Sequence, residues 1–398
     1  MTPADGNASA KQALYTRSYV LAVIASHAYF ISYHMSIAEV PRALMGQPPW
    51  IIGVVVGGFG VAGMVARPLV GVWLDGGNRI WIAKLGGIFT TVAFVGYAFD
   101  LGPWPMLAFR LLHGLSMGMF TTAMLAVVGA SVPPSRRGEG IGIFQMSGSV
   151  GQLYAAPVAL VLMDVVGAPP TFLLTAGIAL IALITGANVP DVSPPAARVV
   201  GRSWRSQAWV SKTAFLPAMV FLSVTAPWGA VTAFLLEFAD ERALANPGFF
   251  YTVVAFSQVG ARASVGWIVD RIRPSMTVIP ALFAVSIGLL LLASAHGQTM
   301  LLASGLLFGL GLASTQTSIV SLVVSRVPPS ELGSAMATYS VAWDVGSVLG
   351  GVIFGFVVDA TSPATTFVML SVLPLAGAAL FLLKVARDPR APEAAIAR

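Results

Sequence analysis

The feature that most limits how this chain can fold is a series of apolar runs separated by short stretches of turn-forming residues. A run of about 18 or more apolar residues is typical of a membrane-spanning helix, whereas strands of a membrane barrel are about ten residues long and alternate in polarity. Charged residues make up only 10% of the 398 residues and hydrophobic residues 57%, against about 25% and roughly 45–50% in soluble domains. The sequence therefore predicts an all-α membrane protein and excludes a typical soluble enzyme.

The apolar runs and the turn residues between them predict about twelve membrane-spanning helices. The residues before the first run lack the basic-then-apolar order of a cleavable signal, so we expect this run to remain as a helix. The predicted helices begin near Ser18, Trp50, Ile80, Pro105, Gly140, Pro170, Thr213, Pro247, Pro274, Thr299, Gly333 and Pro363.

The longest polar interruption covers residues 190–212 and is rich in proline and arginine. It predicts an N-terminal bundle over residues 1–189, a cytoplasmic linker over 190–212 and a C-terminal bundle over 213–398, with about six helices in each bundle. The arginines of the linker suit either a short helix on an anionic lipid surface or a solvated cationic connection.

The distribution of basic residues predicts which side of the membrane each loop faces. If the N-terminus lies in the cytoplasm, the basic loop residues fall almost entirely on the cytoplasmic side, and only Arg42 and Arg242 fall opposite. Cytoplasmic loops of membrane proteins carry this excess of Lys and Arg, so we expect both termini in the cytoplasm. The net charge of +6 comes from these scattered residues and, without a basic cluster interleaved with aromatics, does not indicate a nucleic-acid partner.

The two halves of the sequence repeat each other at an offset of 195 residues. The segment Ala66–Asp75 aligns with Ala261–Asp270, and Val-Pro-Pro-Ser at 132–135 aligns with the same four residues at 327–330. An even number of helices in each copy gives the copies the same orientation. Parallel repeats of this kind are a transporter architecture, with the solute site between the repeats near the middle of the bilayer.

Chemistry other than transport finds little support in the sequence. No segment matches a nucleotide-binding loop or a hydrolytic triad, and cysteine is absent. His27 and His34 are seven residues apart on one helix face, a poor spacing for a metal site that also lacks a third ligand. We therefore expect no enzymatic activity, no cofactor and no metal. A membrane receptor would need a soluble sensing domain, and no stretch outside the predicted helices is long enough for one.

Two loops at equivalent positions of the repeat carry a glycine, an aspartate four residues later and a nearby arginine. These residues are Gly71, Asp75 and Arg79 in the first copy and Gly266, Asp270 and Arg271 in the second. With the paired layout and the central linker, they resemble the signature loops of the major facilitator superfamily over almost the whole chain. The first copy departs from the family pattern at Gly76, where a basic residue is usual, and at Asn78, where a glycine is usual.

The resemblance implies that these loops act as a conformational latch. Asp75 and Asp270, with Arg67 and Arg262 two turns earlier on their helices, would stabilise the outward-open state through an arginine or the N-terminus of a neighbouring helix. The alternative is that these are ordinary charged residues at the ends of helices.

A second motif, Arg110-Leu-Leu-His113-Gly114, resembles the Arg-x-x-Gln-Gly motif of drug/proton antiporters, with His113 in the glutamine position. The branch that the chain most resembles is the twelve-span bacterial efflux permeases labelled drug-efflux-like or arabinose-efflux-like. This resemblance implies a monomer in the bacterial inner membrane whose partners are lipid, protons and a small organic solute.

Asp344 is a carboxyl near the middle of the eleventh predicted helix. A charge at this depth in the membrane is costly, so an acidic residue there indicates a specific function or a specific partner. Removal from water favours the protonated form of a carboxyl, so Asp344 is the first candidate for a proton-carrying group. The alternative is a fixed interhelical hydrogen bond or ion pair. Arg110 is the expected electrostatic neighbour of Asp344 or a substrate contact, unless its guanidinium only extends to the outer headgroups.

Glu39 and His34, in the first predicted helix, are further candidates for proton coupling. A histidine within a helix is more often a packing residue, and that alternative stays open. Residues expected to line the solute site are aromatic, amide or soft side chains in the predicted helices. They are Tyr29, Tyr33, His113, Met117, Gln145, Tyr154, Trp228, Gln316, Tyr339 and Trp343.

The sequence thus predicts proton-coupled export of small amphipathic organic compounds by alternating access between two halves. The alternative is proton-coupled uptake of a small anionic or sugar-like nutrient, since fold does not fix direction or substrate.

Overall fold

The computed structural model describes residues 14–75, 79–133, 136–190, 211–269, 272–327 and 331–386. This part of the chain forms twelve long helices. They are α1 (Arg17–Ala43), α2 (Pro49–Asp75), α3 (Arg79–Tyr97), α4 (Pro103–Ser131), α5 (Arg137–Val166), α6 (Ala168–Ala187), α7 (Lys212–Glu241), α8 (Gly248–Val269), α9 (Pro274–Ala293), α10 (Gln298–Arg326), α11 (Leu332–Val348, a π-helical segment Leu349–Ile353, and Phe354–Ala360) and α12 (Pro363–Leu370, Val372–Leu380 and a π-helical segment Phe381–Val385).

The predicted all-α architecture is confirmed, and every predicted helix start lies within three residues of the observed start. Within the described residues, eleven of the helices are long and apolar enough to cross a membrane. The polar linker lies almost entirely outside the described residues.

The helices form two six-helix bundles. In the first bundle α1 packs against α5 and α6, and α4 packs between α2 and α3; in the second, α10 packs against α8 and α9, and α7 packs against α11. Fully buried aromatic residues fill both interiors, including Phe94 and Phe172 in the first bundle and Phe234 and Phe308 in the second. Burial of such large side chains against one another stabilises each bundle.

The most extensive contacts between the bundles run along two helix pairs, α2 with α11 and α5 with α8, and α7 makes smaller contacts with α1 and α2. The offset of 195 residues carries α2 onto α8 and α5 onto α11, so the two pairs are counterparts in the repeat. The interface between the bundles is therefore built twice from duplicated helices.

Glycines allow the closest approach of the bundles at one end of the molecule, which we call the distal end because α1 ends and α2 begins there. Gly53 of α2 packs against the backbone of Gly351 in α11, and a Cβ added to Gly248 of α8 would lie 2.8 Å from Cα of Pro157 in α5. Small residues are what membrane helices use where their backbones touch. The distal ends of the two bundles are thus tightly packed. We call the opposite end, where α1 begins, the proximal end.

Candidate functional site

A cavity of about 760 Å³ lies between the two bundles. Its volume is within the range of about 300–1,000 Å³ that is usual for sites binding small molecules. Seven helices contribute to its wall: Phe30, Tyr33, His34 and Ile37 from α1; Met117 from α4; Phe144, Gln145, Gly148, Ser149 and Gln152 from α5; Trp228 from α7; Gln258 and Arg262 from α8; Gln316, Thr317, Val320 and Ser321 from α10; and Met336 and Trp343 from α11.

The cavity occupies the middle and the proximal half of the molecule. Its α5 and α11 residues come from the first halves of those helices or from near their middles, and its α8 and α10 residues come from the second halves or from near their middles. Helices that alternate in direction bring these segments to the proximal side. Because the distal ends are closed by the glycine contacts, the cavity faces the proximal end.

Six of the residues predicted to bind solute do line this cavity. They are Tyr33, Met117, Gln145, Trp228, Gln316 and Trp343. His34, predicted for proton coupling, and Arg262, predicted for the latch, line it as well. His34 is largely buried, and its Nδ1 lies 2.7 Å from the carbonyl oxygen of Phe30 within the same helix.

The prediction was wrong for two residues that are buried inside the first bundle. Tyr29 is fully buried, its ring stacks on Phe120 with centroids 4.3 Å apart, and its hydroxyl lies 2.8 Å from Oγ of Ser116. His113 is also fully buried, and its ring meets those of Phe59 and Phe94. Both residues face α4 or its neighbours within the bundle, and not the interface.

Tyr339 and Tyr154 also lie outside the cavity wall. Tyr339 is buried and stacks on Phe221 of α7, with ring centroids 4.5 Å apart. Tyr154 is 38% exposed, and its hydroxyl lies 3.1 Å from Nε2 of His27 on the flank formed by α1 and α5. These two residues were predicted from their side-chain type and their depth in the membrane. Whether a side chain faces the cavity also depends on the rotation of its helix about its own axis.

Asp344 forms an ion pair that joins the two bundles. Nε of Arg67 in α2 donates to one carboxylate oxygen at 2.7 Å, and its Nη2 donates to the other at 3.3 Å. The Asp344 side chain is 4% exposed and that of Arg67 is 27% exposed. A two-point pair of this kind is stronger and more directional than a single hydrogen bond.

The prediction that Arg110 is the electrostatic neighbour of Asp344 is therefore wrong, because Arg67 holds that position; the alternative, that Arg110 contacts substrate, stays a prediction. Nη1 of Arg110 donates to Oγ of Ser36 at 3.1 Å, and the guanidinium lies 4.7 Å from the centroid of the Phe59 ring. Arg110 also lines a small cavity of about 30 Å³ together with Tyr33 and Trp228, which is enough space for about one water molecule.

Glu39 is a fully buried carboxyl in the first bundle. Oγ1 of Thr175 donates to its Oε1 at 2.5 Å, while its Oε2 has no hydrogen-bond partner among the described residues. The positive charge of Arg110 is close enough to act on it electrostatically. A buried carboxylate oxygen without a hydrogen-bond partner is costly.

Arg262 extends from α8 to the other bundle across the cavity wall. Its Nη1 donates to Oγ of Ser149 in α5 at 2.9 Å, and its Nη2 donates to Oε1 of Gln316 at 3.0 Å. Oε1 of Gln258 lies 3.5 Å from the same Nη2. The signature loops lie largely outside the described residues, so the role of Arg67 and Arg262 in a latch with these loops stays a prediction.

The rest of the predicted latch is described only in part. Nη1 of Arg79 donates to the carbonyl oxygen of Ala126 in α4 at 3.2 Å. The side-chain environments of Gly71, Asp75, Gly266, Asp270 and Arg271 lie outside the described part of the structure.

Sequence reasoning missed several polar residues of the cavity wall, among them Ser149, Gln152, Gln258 and Ser321. The sequence did contain a signal, because these polar side chains lie within apolar helices. A polar side chain at such a position usually contacts another helix or a water-filled space.

Comparison with protein families identifies the fold. The family model described as Major Facilitator Superfamily matches residues 13–295 and 214–398. The chain belongs to the major facilitator superfamily. It is a transporter of this family by sequence, and twelve helices in two bundles surround its cavity as the family fold requires.

Individual relatives are distant but cover most of the chain. An uncharacterized MFS-type transporter of Methanocaldococcus jannaschii is 23% identical over 84% of this chain and 89% of its own length. The staphylopine export protein of Staphylococcus aureus is 23% identical over 79% of this chain and 82% of its own length. Among solved structures, the nucleoside transporter NupG superposes with a TM-score of 0.74 at 16% identity, covering 93% of this chain and 100% of that one.

Proposed function

We propose that this protein exports small amphipathic organic compounds across the bacterial inner membrane in exchange for protons. The family is one of transporters, and one relative is named as an export protein. The cavity wall combines aromatic and amide side chains, which suits a solute with apolar and polar parts. With both termini in the cytoplasm, the proximal end is the cytoplasmic end and the cavity is open to the cytoplasm.

The observation that carries the proposal is the ion pair between Asp344 and Arg67 across the bundle interface. A proton on Asp344 removes its charge and with it the two charge-assisted hydrogen bonds that hold α11 to α2. Loss of the proton restores them. The same group therefore carries the proton and decides how firmly the bundles are joined, which is the coupling that exchange requires.

The cycle that follows has four steps. In the state described here Asp344 is ionised and paired, and the cavity accepts solute from the cytoplasm. The solute-bound bundles then rock to face outward, where a proton neutralises Asp344 and the solute leaves. The protonated form returns, and renewed pairing with Arg67 favours release of the proton to the cytoplasm.

Glu39 is proposed as a second proton-binding group, since it is buried beside Arg110 in the bundle that supplies half of the cavity. His34 is proposed to sense the same proton gradient from the cavity wall. Asp344, Glu39 and His34 make contacts with different residues. Substituting each of them separately therefore distinguishes the roles of Glu39 and His34 from that of Asp344.

The test is proton movement in proteoliposomes that hold an acidic lumen and a trapped pH dye, with hippurate, N-acetyltryptophan and their neutral amides as solutes. For the wild type we expect added solute to raise the luminal pH, since protons leave as solute enters. Asp344→Asn should abolish this response because an amide cannot release a proton. Glu39→Gln and His34→Gln should weaken its dependence on pH.

The matched control is Asp164→Asn, which removes an aspartate of an exposed pair with Arg42 at the distal end. This variant should behave as the wild type. Solute and protons moving in the same direction would establish uptake by symport in place of exchange, and a wild-type response from Asp344→Asn would exclude Asp344 as the proton carrier.

A further inference from the structure

The two interfaces between the bundles differ in charge at equivalent positions of the repeat. The offset of 195 residues carries Arg67 onto Arg262 and carries Asp344 back onto Ser149. In both interfaces the arginine reaches across to the equivalent residue of the other bundle. One arginine therefore meets a carboxylate, while its counterpart meets a hydroxyl.

Arg262 consequently has only neutral partners in the described part of the structure. Ser149 and Gln316 accept its hydrogen bonds, and Gln258 lies close by. These groups satisfy N–H donors, but they do not neutralise the positive charge. The Arg262 side chain is exposed and lines the cavity, so its positive charge stays accessible to a solute, and an anionic solute would add charge-assisted hydrogen bonds.

The wall of the cavity offers no counter-ion either. None of the described residues that line it is Asp or Glu. The nearby acid on α11, Asp344, is already held by Arg67. The remaining polar groups of the wall are the amides Gln145, Gln152, Gln258 and Gln316, together with His34 and hydroxyls.

We propose that the solute of this transporter is an organic anion whose carboxylate or similar oxyanion binds Arg262. The planar guanidinium presents paired donors that match an oxyanion. Gln258 and Gln316 are placed beside it to bind adjacent polar atoms, and the aromatic rings of Phe30, Trp228 and Trp343 provide contact for an apolar body. This inference rests on the proposed transport function and specifies the class of solute.

The experiment measures binding to the purified full-length protein in detergent, by thermal stabilisation over a range of ligand concentrations at constant ionic strength. The probes are three anions, each paired with its neutral amide: hippurate with hippuramide, N-acetyltryptophan with N-acetyltryptophanamide, and naphthalene-2-sulfonate with naphthalene-2-sulfonamide. The carboxylates and the sulfonate distinguish a carboxylate site from a general oxyanion site. We expect at least one anion to bind about tenfold or more tightly than its amide, as hydrogen bonds to a charged partner imply.

The variants place or remove one charge. Ser149→Asp gives Arg262 the carboxylate that its counterpart already has, and should remove the preference for the anion. Ser149→Asn is nearly the same size without the charge and should retain the preference. Arg262→Gln should also remove the preference for the anion. If one of the two variants, Ser149→Asp or Arg262→Gln, fails to fold, the other still tests the proposal.

The proposal is overturned if no anion binds more tightly than its amide to the wild type, or if Arg262→Gln and Ser149→Asp both retain the preference. A failure here leaves proton exchange with the neutral amides unaffected, so it is distinguishable from failure of the transport function. Conversely, anion binding without any movement of protons would refute the exchange and not the anion site.

Discussion

At the scale of single residues, the pair formed by Arg67 and Asp344 is unequal in burial. The carboxylate is 4% exposed and the arginine 27%. Loss of one partner leaves the other unpaired, and the cost depends on how much water the remaining charge can reach. The two single substitutions should therefore not destabilise the protein equally.

We predict that Arg67→Gln lowers the free energy of unfolding by about 2 kcal/mol or more, because it leaves an unpaired carboxylate in the interior. Asp344→Asn should cost less, since the arginine side chain can reach water. The double variant should be more stable than the sum of the single effects implies, as expected for residues that interact directly. Thermal unfolding in detergent at neutral pH measures all three.

Additive effects in this comparison would contradict a direct interaction between the two side chains. Arg42→Gln provides the control for loss of an arginine, since its pair with Asp164 is exposed. Such exposed pairs contribute about 0–1 kcal/mol.

The same pair shows what the sequence can and cannot reveal at this scale. Asp344 was identified as a key residue because a carboxyl in an apolar run needs a reason. Its partner was wrongly assigned to Arg110, although Arg67 was also singled out. The choice depends on the rotation of α2 and α4 about their axes, and a hydrophobic pattern that runs nearly all round a membrane helix does not define that rotation.

At the scale of helices, the glycines at the distal end determine how closely α2 approaches α11. Gly53 packs against the backbone of Gly351, and Gly355 packs against Trp50 and Gly53. The π-helical segment Leu349–Ile353 lies at this crossing and also brings Gly350 against α7. Such segments insert an extra residue into a turn and often occur at functional positions.

We predict that Gly53→Val forces α2 and α11 apart at the distal end, because the new side chain would occupy the space of the Gly351 backbone. The expected results are a lower midpoint of thermal unfolding and loss of the state in which the cavity faces only the proximal end. The chain has no cysteine, and Thr232 of α7 lines the small cavity beside Arg110. A single cysteine introduced at Thr232 should therefore become accessible to a maleimide reagent from the distal side.

Gly177→Val is the matched control, since no atom lies within 4 Å of a Cβ added there. It should leave stability and labelling unchanged. Equal effects of the two substitutions would show that the contact between α2 and α11 is not what closes the distal end.

Helix positions were the part of the structure that the sequence predicted best. Length and hydropathy alone fix where a chain enters and leaves the bilayer, and the observed starts follow the predicted ones closely. The pairing of α2 with α11 was not predicted. Glycines mark close approach in general, but the sequence does not say which glycine-bearing helices meet.

At the scale of the whole molecule, duplication explains both the symmetry of the interface and its departure from symmetry. The same offset relates the two bundles, the two contacting helix pairs and the two arginines that cross between bundles. Only one of these crossings contains a carboxylate. We therefore propose that one interface responds to protons, while the other keeps an arginine for the solute.

This division of roles predicts how the conformation responds to pH. An ionised Asp344 holds Arg67 and favours the state in which the cavity faces the proximal end. Protonation removes the ion pair and should shift the population toward the state that faces the distal end. A population shift of this kind needs only the difference in free energy that the pair supplies between the two states.

The most direct measurement is the distance between spin labels at the proximal ends of the two bundles. Cysteines introduced at Ser131 on α4 and at Ser325 on α10 place one label in each bundle. For the wild type we predict a long distance at alkaline pH and a growing population of shorter distances as the pH falls. Asp344→Asn should show the short distances at every pH. If this variant instead kept the pH response of the wild type, Asp344 would not couple protons to the movement of the bundles.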